Sequence, residues 1–477
     1  MKKLLCVLLC MLLLCACGAP AAPEMPETPV APAEPAVEAD YQVGYGRVDI
    51  SPADPIVLRG YSDAKNRVST AVADPLYATA IAITDQDGNS ALFITADHCM
   101  IYWDFANEVR DGLAEKLGIS ADNIVISATH THSAPDISNA PAYTKVICDG
   151  IIAAGEAAWA DRKGASLYTA KTETEGLNFV RHYVYADGQI GTLGGIQPEG
   201  TPVGHTREAD GEMRLMHFKR AEGKDIVMMN FQVHAVLASY NVSPKTEVTA
   251  DLVGGVRAYL EKNLDCHFAY FQGAAGDLNP DSWIPGEHET KNIYRYGKML
   301  GDYAIEALNS EVKQPAGKIE AKGFTVDMPI DHSDAHLAPL AQQVQDEINA
   351  TGKQHASNEL ARSLGFVSFH QAQSVLRRLN MGESRKMYYS VLSVGDIGFT
   401  AAPLELYCVT GKTIQEGSPY GMTFVIGYAN GNWSYLPAEY AFTEYYSYEA
   451  GICNYAPGSA EMLADTFIKE LNELKGE

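Results

Sequence analysis

Apolar runs in this chain alternate with longer segments in which apolar residues recur every three or four positions. Short runs rich in β-branched and aromatic residues, bounded by turn-forming residues, are typical of β-strands. Such runs predict strands at 77–84, 91–96, 124–129, 213–218, 226–234, 267–272, 386–400 and 423–428. The segments with helical spacing predict helices at 104–117, 143–159, 249–264, 291–308, 337–350, 359–379 and 460–474.

The alternation of strands and helices predicts an α/β protein with a mixed β-sheet core flanked by helices. Two of the strands, which contain F-I-T-A and H-F-A-Y-F, are apolar on both faces. Strands of this kind are buried on both sides, so we expect helices to cover both faces of the sheet. No Walker loop and no Gly-rich dinucleotide motif occurs in the chain.

The segment I-V-I-S-A-T-H-T-H-S-A-P-D, residues 124–136, ends an apolar run with two histidines. Side chains alternate between the faces of a strand, so His130 and His132 are expected to project to the same side. Such a pair can supply one metal ligand and one group that handles a proton. The alternative is that the two histidines only cap the strand and bond to the local backbone.

The first 17 residues have the form of an export signal. They begin with M-K-K, continue as an apolar stretch too short to span a bilayer comfortably, and end in L-C-A-C-G, which resembles a bacterial lipobox. In a lipobox, Cys17 becomes the lipidated first residue. Residues 18–40, rich in Pro, Ala and Glu, predict a disordered tether, and residues 41–477 predict one folded domain. We therefore expect an exported lipoprotein of the cell envelope, anchored to a membrane.

The formal net charge of -24 makes nucleic acid an unfavourable partner. Apolar residues make up 46% of the chain, which is the composition of a globular protein. Cysteines outside the first 17 residues are scattered without C-x-x-C spacing, so neither a disulfide framework nor a thiolate metal site is predicted. The sequence does not identify a protein partner.

Several predicted strands stop at polar residues beside small or turn-forming ones, and open α/β sheets gather their sites at strand ends. One motif, G-Y-G-R-V-D-I-S-P, lies near the start of the predicted domain. The others lie at the ends of predicted strands and are, in chain order, A-T-H-T-H-S-A-P, F-Q-V-H, Q-G-A-A-G-D-L-N-P, A-P-L-E and G-Y-A-N followed by S-Y-L-P-A-E-Y. In this order they resemble the neutral (alkaline, non-lysosomal) ceramidase family, over about residues 43–450. The resemblance implies the fold of the family's N-terminal catalytic domain for residues 41–477, without its C-terminal immunoglobulin-like domain.

The resemblance also implies a catalytic Zn²⁺ held by four side chains. Carried over residue by residue, these are His130, His234, Glu405 and Tyr435. Imidazole nitrogen and carboxylate oxygen are ligands that suit Zn²⁺. Tyr435 is the least secure of the four, because other tyrosines lie close by in the sequence. These are Tyr440, Tyr445, Tyr446 and Tyr448.

Two further residues are implied near the reacting carbonyl. The resemblance places His132 beside it, and the motif N-F-V-R-H offers Arg181 as a neighbouring positive charge. The alternative for Arg181 is an ordinary surface arginine. Asp97 and Asp251 are candidates for carboxylates that orient the metal-binding histidines, or equally for purely structural roles.

The chain departs from the family at one position. Ceramidases carry an essential serine in a G-D-x-S-P-N loop, whereas this chain has G-D-L-N-P with Asn279 in that place. An amide cannot act as a nucleophile, but it can donate a hydrogen bond to an oxyanion.

Two functions follow. The first is a zinc-dependent hydrolase that cleaves an amide, or alternatively an ester, in a lipid or small N-acyl substrate other than ordinary ceramide. Water activated by the metal would attack, His132 would transfer the proton, and Arg181 and Asn279 would stabilise the developing negative charge. The second is a lipid-anchored binding protein that keeps the fold but has lost catalysis. The complete set of ligand types favours the hydrolase.

Overall fold

The computed structural model describes residues 39–61, 67–238, 246–287, 292–352 and 357–476. Its core consists of two β-sheets stacked face to face, because side chains from both sheets share one buried hydrophobic cluster. Helices pack on the outer face of each sheet. The layers therefore follow the order helix, sheet, sheet, helix.

The larger sheet has nine strands within the described residues. Eight form a continuous row, and Val312–Lys313 adds to Lys163–Glu173. The spatial order of the row is His267–Gln272, Ile226–Phe231, Glu212–Arg220, Lys163–Glu173, Tyr41–Asp49, Tyr77–Thr84, Ser90–Ala96 and Ile124–Ala128. The two strands at each end of the row run parallel to each other, and the other neighbours are antiparallel.

The smaller sheet has four strands in the part of the chain that the structure describes. In order they are Ile319–Pro329, Ser384–Val394, Ile397–Ala401 and Met422–Ile426. The last two are parallel. The edges of the two sheets are joined, because the Asn430 side chain accepts a hydrogen bond from the amide of Ile126 and the Asn430 amide donates to the Ile126 carbonyl.

The strand Ser90–Ala96 shows how the stacking follows from the sequence. Leu92 and Ile94 face the helical layer, whereas Phe93 faces the smaller sheet and packs against Phe399 with ring centroids 4.6 Å apart. Side chains alternate along a strand, so an uninterrupted apolar run places apolar surface on both faces. Both faces of this strand are accordingly buried.

The motif V-G-Y-G in the first strand allows a helix to pack directly on the sheet. A Cβ atom on Gly44 would lie 2.0 Å from the carbonyl oxygen of Ala158, and one on Gly46 would lie 2.1 Å from that of Ala154. Both carbonyls belong to the helix Pro141–Ala160. No side chain fits at that distance, so only glycine permits this close contact.

The longer helices fall into three groups. Those on the outer face of the larger sheet are Trp103–Leu117, Pro141–Ala160, Asp251–Leu264 and Ile293–Leu308. Those on the outer face of the smaller sheet are Cys408–Gly417 and Ser459–Lys475. A third group, which we call the helical subdomain, has its own apolar cluster and comprises Ala338–Thr351, Asn358–Ser363 and Phe369–Arg378.

Short elements connect these layers. The short helices are Ala121–Asn123, Ala335–Leu337, Tyr440–Thr443 and Tyr448–Ile452. The short paired strands are Ala71–Val72 with Glu247–Val248, Phe179–Val180 with Leu278–Asn279, and Glu405–Leu406 with Tyr435–Leu436. A small three-stranded sheet consists of His182–Tyr185, Ile190–Thr192 and Pro202–His205.

The predicted mixed α/β class is confirmed, but three details of the prediction are wrong. The inner face of the larger sheet is covered by the second sheet and not by helices. The run 386–400 is a hairpin that turns between Val394 and Ile397, where Gly395 has a φ of 58°. The helix 359–379 is interrupted after Ser363, and Gly365 there has a φ of 93°.

Residues 39–477 form one compact unit. The predicted export signal at 1–17, including Cys17, lies outside the described residues. Of the predicted tether at 18–40, only residues 39 and 40 are described. Among the helices of the described ranges, none has both the length and the hydropathy needed to cross a bilayer.

Candidate active site

The carboxyl ends of the parallel strand pairs in the two main sheets, two pairs in the larger sheet and one in the smaller, meet at one place. From the larger sheet, chain segments that carry His130 and His234 leave the ends of Ile124–Ala128 and Ile226–Phe231. From the smaller sheet, Glu405 follows the end of Ile397–Ala401. All three side chains are buried. The candidate site therefore lies where the two sheets join, and both contribute to it.

The strand that precedes the histidine pair ends at Ala128, so the predicted alternation does not continue to His130. His130 has a φ of 63°, in the left-handed region, and its amide donates to the carbonyl of His98. The turn still brings the two rings together, because the Nε2 atoms of His130 and His132 are 3.0 Å apart. Their convergence thus arises from a turn and not from strand periodicity.

Backbone carbonyls orient the histidines. The Nδ1 atom of His130 is 2.7 Å from the carbonyl oxygen of Cys99, and the Nδ1 atom of His234 is 2.7 Å from that of Ala275. In this geometry each Nδ1 carries the proton that it donates. The Nε2 lone pairs of both rings are then directed at the interior of the site.

Glu405 completes a set of three donors. Its Oε2 atom lies 3.5 Å from Nε2 of His130 and 3.6 Å from Nε2 of His234, and one donor atom from each of the three residues lies within 4.8 Å of the other two. Burial lowers the pKa of His130 to about 3 and lowers that of His234 well below its ordinary value, so both rings are neutral. Neutral imidazoles and a carboxylate with converging lone pairs are the chemistry that a divalent metal such as Zn²⁺ requires.

Two tyrosines reach these donors. The Tyr435 hydroxyl is 3.3 Å from Nε2 of His234, and the strand pairing places Tyr435 opposite Glu405. The Tyr428 hydroxyl donates to Glu405 across 3.4 Å, and its ring stacks on His130 with centroids 4.1 Å apart. Tyr428 is not among the site residues predicted from the sequence, although it is the tyrosine of the motif G-Y-A-N.

The other tyrosines considered from the sequence have different contacts. Tyr445 shares a hydrogen bond with His182, and Tyr440 packs on Tyr407. Tyr446 packs on Phe442. The ring of Tyr448 lies 6.4 Å from that of Tyr435. Tyr435 therefore has the best position of the group.

Arg181 is buried beside the donor set and is not a surface residue. Its Nη1 atom is 3.3 Å from Nε2 of His234, and its Nη2 atom donates to the Tyr435 hydroxyl across 3.2 Å. On its other side, Nε and Nη2 approach Oε1 of Glu449 at 2.8 and 2.7 Å. The positive charge of Arg181 is thus held against the candidate metal ligands.

Glu449 is fully buried and was not predicted from the sequence. Besides Arg181, it accepts hydrogen bonds from Nε2 of His182 at 2.9 Å and from the Tyr407 hydroxyl at 3.0 Å. Burial raises the pKa of this carboxyl, but the charge of Arg181 and the bond from His182 outweigh it and hold the pKa well below its usual range. In the sequence, Glu449 is a single acidic residue that follows several tyrosines, and neither a motif nor a hydrophobic period distinguishes it.

His132 lies beside the donors, and Asn279 lies next in the chain to a residue that contacts His234. His132 is 91% buried, and burial, His130 and Arg181 lower its pKa well below the ordinary value, so the ring is neutral. Asn279 is buried and pairs with Phe179 in a short two-stranded ladder. It directly follows Leu278, whose carbonyl accepts a hydrogen bond from the amide of His234.

Other candidate groups have structural contacts. Cys99 could join His130 and His132 in a second group of potential ligands, but burial raises the pKa of its thiol to about 12, which disfavours the thiolate. Asp97 forms an ion pair with Arg257 at 2.7 Å. Asp251 accepts from two backbone amides, of Leu237 and Ala238, and so supports the segment that follows His234.

Comparisons with known proteins show which family the chain is similar to. Residues 41–283 match the sequence model of the family described as neutral/alkaline non-lysosomal ceramidase, N-terminal. The neutral ceramidase of Drosophila pseudoobscura pseudoobscura is 28% identical over 362 residues, which are 64% of this chain and 50% of that protein. Neutral ceramidase A of Dictyostelium discoideum is 26% identical over 210 residues, which are 41% of this chain and 28% of that protein. The chain thus spans half or less of the length of these relatives.

A solved structure shares the fold. The crystal structure of neutral ceramidase from Pseudomonas aeruginosa superposes with a TM-score of 0.68 at 18% sequence identity, covering 92% of this chain and 75% of that one. The family match spans just over half of the chain and includes the segments that carry His130, Arg181 and His234. The chain belongs to the neutral/alkaline non-lysosomal ceramidase family.

Proposed function

We propose that this protein is a metal-dependent hydrolase that cleaves the amide bond of an N-acyl lipid or a related small N-acyl compound. The observation that carries the proposal is the convergence of His130, His234 and Glu405 beside the buried charge of Arg181. A structural role alone would not direct two imidazole lone pairs at a buried carboxylate. Such an arrangement is costly to bury unless a cation neutralises it.

Zn²⁺ is the metal that fits this donor set, and when bound it would polarise the scissile carbonyl and activate water. His130, His234 and Glu405 would hold it, and the hydroxyl of Tyr435, 3.3 Å from His234, would be the fourth protein donor. The carbonyls of Cys99 and Ala275 fix the tautomers that this binding needs.

The neighbouring residues supply proton transfer and charge. His132 is neutral, and its Nε2 atom faces the donors, so it can accept a proton from water and return it to the leaving amine. Arg181 carries a permanent charge in a buried site, where it would stabilise negative charge that develops on the carbonyl oxygen.

Asn279 replaces the serine that the family resemblance implies at this position. Because an amide cannot attack a carbonyl, the proposal uses water as the nucleophile and assigns Asn279 to hydrogen bonding. A substrate other than ordinary ceramide follows as part of the same proposal.

Metal analysis and hydrolysis assays on one preparation test the proposal. We expect about one Zn²⁺ per chain, with turnover of at least one among N-acyl sphingoid bases, N-acyl amino acids and simple esters. Glu405→Ala and His234→Ala should lose both metal and turnover. His217→Ala is the matched control, because His217 is partly buried but pairs with Glu311 away from the site. Stoichiometric metal without hydrolysis of any compound would favour the binding protein instead.

We also propose that the chain is exported and held at a membrane by a lipid on Cys17. Support comes from the apolar signal and the L-C-A-C-G sequence at its end. A tether at 18–40 would allow the folded domain to reach lipid substrates at the membrane surface.

A further inference from the structure

A pocket of about 320 Å³ opens on the far side of Tyr435 from the metal-ligand cluster. One wall is the helix Phe369–Arg378 of the helical subdomain, and the other is formed by residues 433–435 and 452–454. Tyr435 belongs both to this wall and, through its hydroxyl, to the contacts of His234 and Arg181. The pocket is therefore one side chain away from the proposed point of cleavage.

The pocket contains a guanidinium that is fixed in place. Nε of Arg377 donates to the side-chain oxygen of Asn454 at 2.9 Å, and Nη2 donates to Ser374 at 2.9 Å and to the carbonyl of Ile452 at 3.0 Å. The third nitrogen, Nη1, has no acceptor among the described residues. These three hydrogen bonds restrict the conformation of the Arg377 side chain, so little side-chain entropy would be lost when a ligand binds.

The charge of Arg377 is not balanced locally. None of the described residues that line the pocket carries a carboxylate. The carboxylate of Asp334 pairs with the neighbouring Arg378. Arg377 is exposed as a whole residue, and partial burial of its side chain and the neighbouring charge of Arg378 both lower its pKa.

A second arginine adds to this positive potential. Arg385 stacks over the ring of Trp433, another lining residue, with its guanidinium carbon 3.9 Å from the ring centroid. The chain has a formal net charge of -24, so a pocket that is lined by one arginine, with a second arginine beside it and no acid among its described lining residues, is positively charged against a negative background. A guanidinium with free N–H groups is the side chain best suited to bind carboxylate, sulfonate or phosphate.

We propose that this pocket binds an oxyanion on the polar part of the substrate, a few bonds from the scissile amide, and that Arg377 selects for it. The inference rests on the proposed hydrolase function, because it assigns the class of substrate to that same site. It predicts preference for N-acyl compounds whose amine part ends in carboxylate, sulfonate or phosphate over neutral compounds of the same length.

Paired substrates test the proposal. N-Decanoyl taurine carries a sulfonate, and N-decanoyl ethanolamine is a neutral compound of similar length. We expect kcat/KM to be about ten- to a hundredfold higher for the anionic one, the size expected for a hydrogen bond to a charged group. Arg377→Gln should remove this preference, so that the ratio of kcat/KM between the two compounds falls to about one. Arg295→Gln, which removes an exposed arginine on another helix, is the control. Equal preference in wild type and Arg377→Gln would overturn the assignment while leaving the hydrolase intact.

A binding measurement separates this inference from the proposed function. The probes are two ketone analogues in which a methylene replaces the scissile nitrogen, one ending in sulfonate and one in hydroxyl. If nothing is hydrolysed but the sulfonate binds more tightly and loses this advantage in Arg377→Gln, the pocket is correct and the hydrolase proposal fails. If inorganic phosphate binds in an Arg377-dependent manner while the two analogues bind equally, the pocket holds a free anion and the substrate assignment is wrong.

Discussion

Replacing Glu449 with glutamine should damage the site without touching a candidate metal ligand. Glu449→Gln keeps the shape of the side chain but removes its charge. Arg181 would then remain buried without the carboxylate that now meets it at 2.7 and 2.8 Å. His182 and Tyr407 would lose the same partner. We therefore expect both stability and catalysis to fall.

The size of the effect follows from burial. Both side chains of the pair are almost inaccessible, with 6% exposure for Arg181 and 0% for Glu449. Removing one partner from such a pair costs about 3–5 kcal/mol, because the other charge is left buried. The pKa of Glu449 is held below its ordinary value of 4.5, so the contribution is present above pH 4.5 and is lost as the pH falls below it. If Arg181 stabilises charge in the transition state, kcat should fall by roughly 10²–10³.

Urea unfolding at pH 7 and steady-state kinetics measure the two effects. The matched control is Glu444→Gln, because Glu444 pairs with Arg207 at 2.8 Å but both side chains are about half exposed, so the change should cost less than about 1 kcal/mol. The double variant with Arg181→Met should lose less stability than the two single losses added together. An unfolding free energy and a kcat in Glu449→Gln that match those of the control would refute this reasoning.

Three further predictions concern the site and the anchor. Asn279→Ala should retain metal and lose roughly 10²–10³ in kcat. Asn279→Ser should raise hydrolysis of ceramide to a measurable level if the acyl cleft admits this substrate. A loss of kcat in Asn279→Ala as large as that caused by metal removal would contradict water as the nucleophile. Burial raises the pKa of Glu405 to about 7, so in metal-free protein its contribution to stability is present below pH 4.5 and lost as the pH rises to 7. The pH dependence of unfolding should therefore flatten in Glu405→Gln, and an identical pH profile would show that the group does not titrate there. Wild-type protein should partition into the detergent phase and Cys17→Ser should not; a variant that still partitions would rule out the lipid anchor.

The strands that end at the site could be read from the sequence because each is a buried apolar run that stops at a polar residue. Tyr77–Thr84 and His267–Gln272 were predicted with the bounds that the structure shows. The long strands Lys163–Glu173 and Ile319–Pro329 were not, because polar and charged residues interrupt their apolar pattern. One-dimensional periodicity also cannot tell whether a helix or a second sheet covers a face, since both bury the same apolar residues.

In the candidate site, too, some residues could be predicted from the sequence and others could not. Resemblance to the family supplied His130, His234 and Glu405, and the structure places them together. The partners of these residues were harder to find, because the contacts depend on long-range packing. Glu449 reaches Arg181 from far along the chain, and the carbonyls that orient the histidines have no side-chain signature at all.

The site lies at the seam between the two sheets, and this position has a mechanical consequence. A cation bound by His130 and His234 on one side and by Glu405 on the other would cross-link the two sheets. The cross-link joins His130 and Glu405, which are far apart in the sequence, so closing the loop between them costs conformational entropy. We therefore expect the metal site to form only after the two sheets have packed together. Amide exchange at the seam, at Ile126 and Asn430, should then slow when metal is added, while exchange within the helical subdomain stays the same.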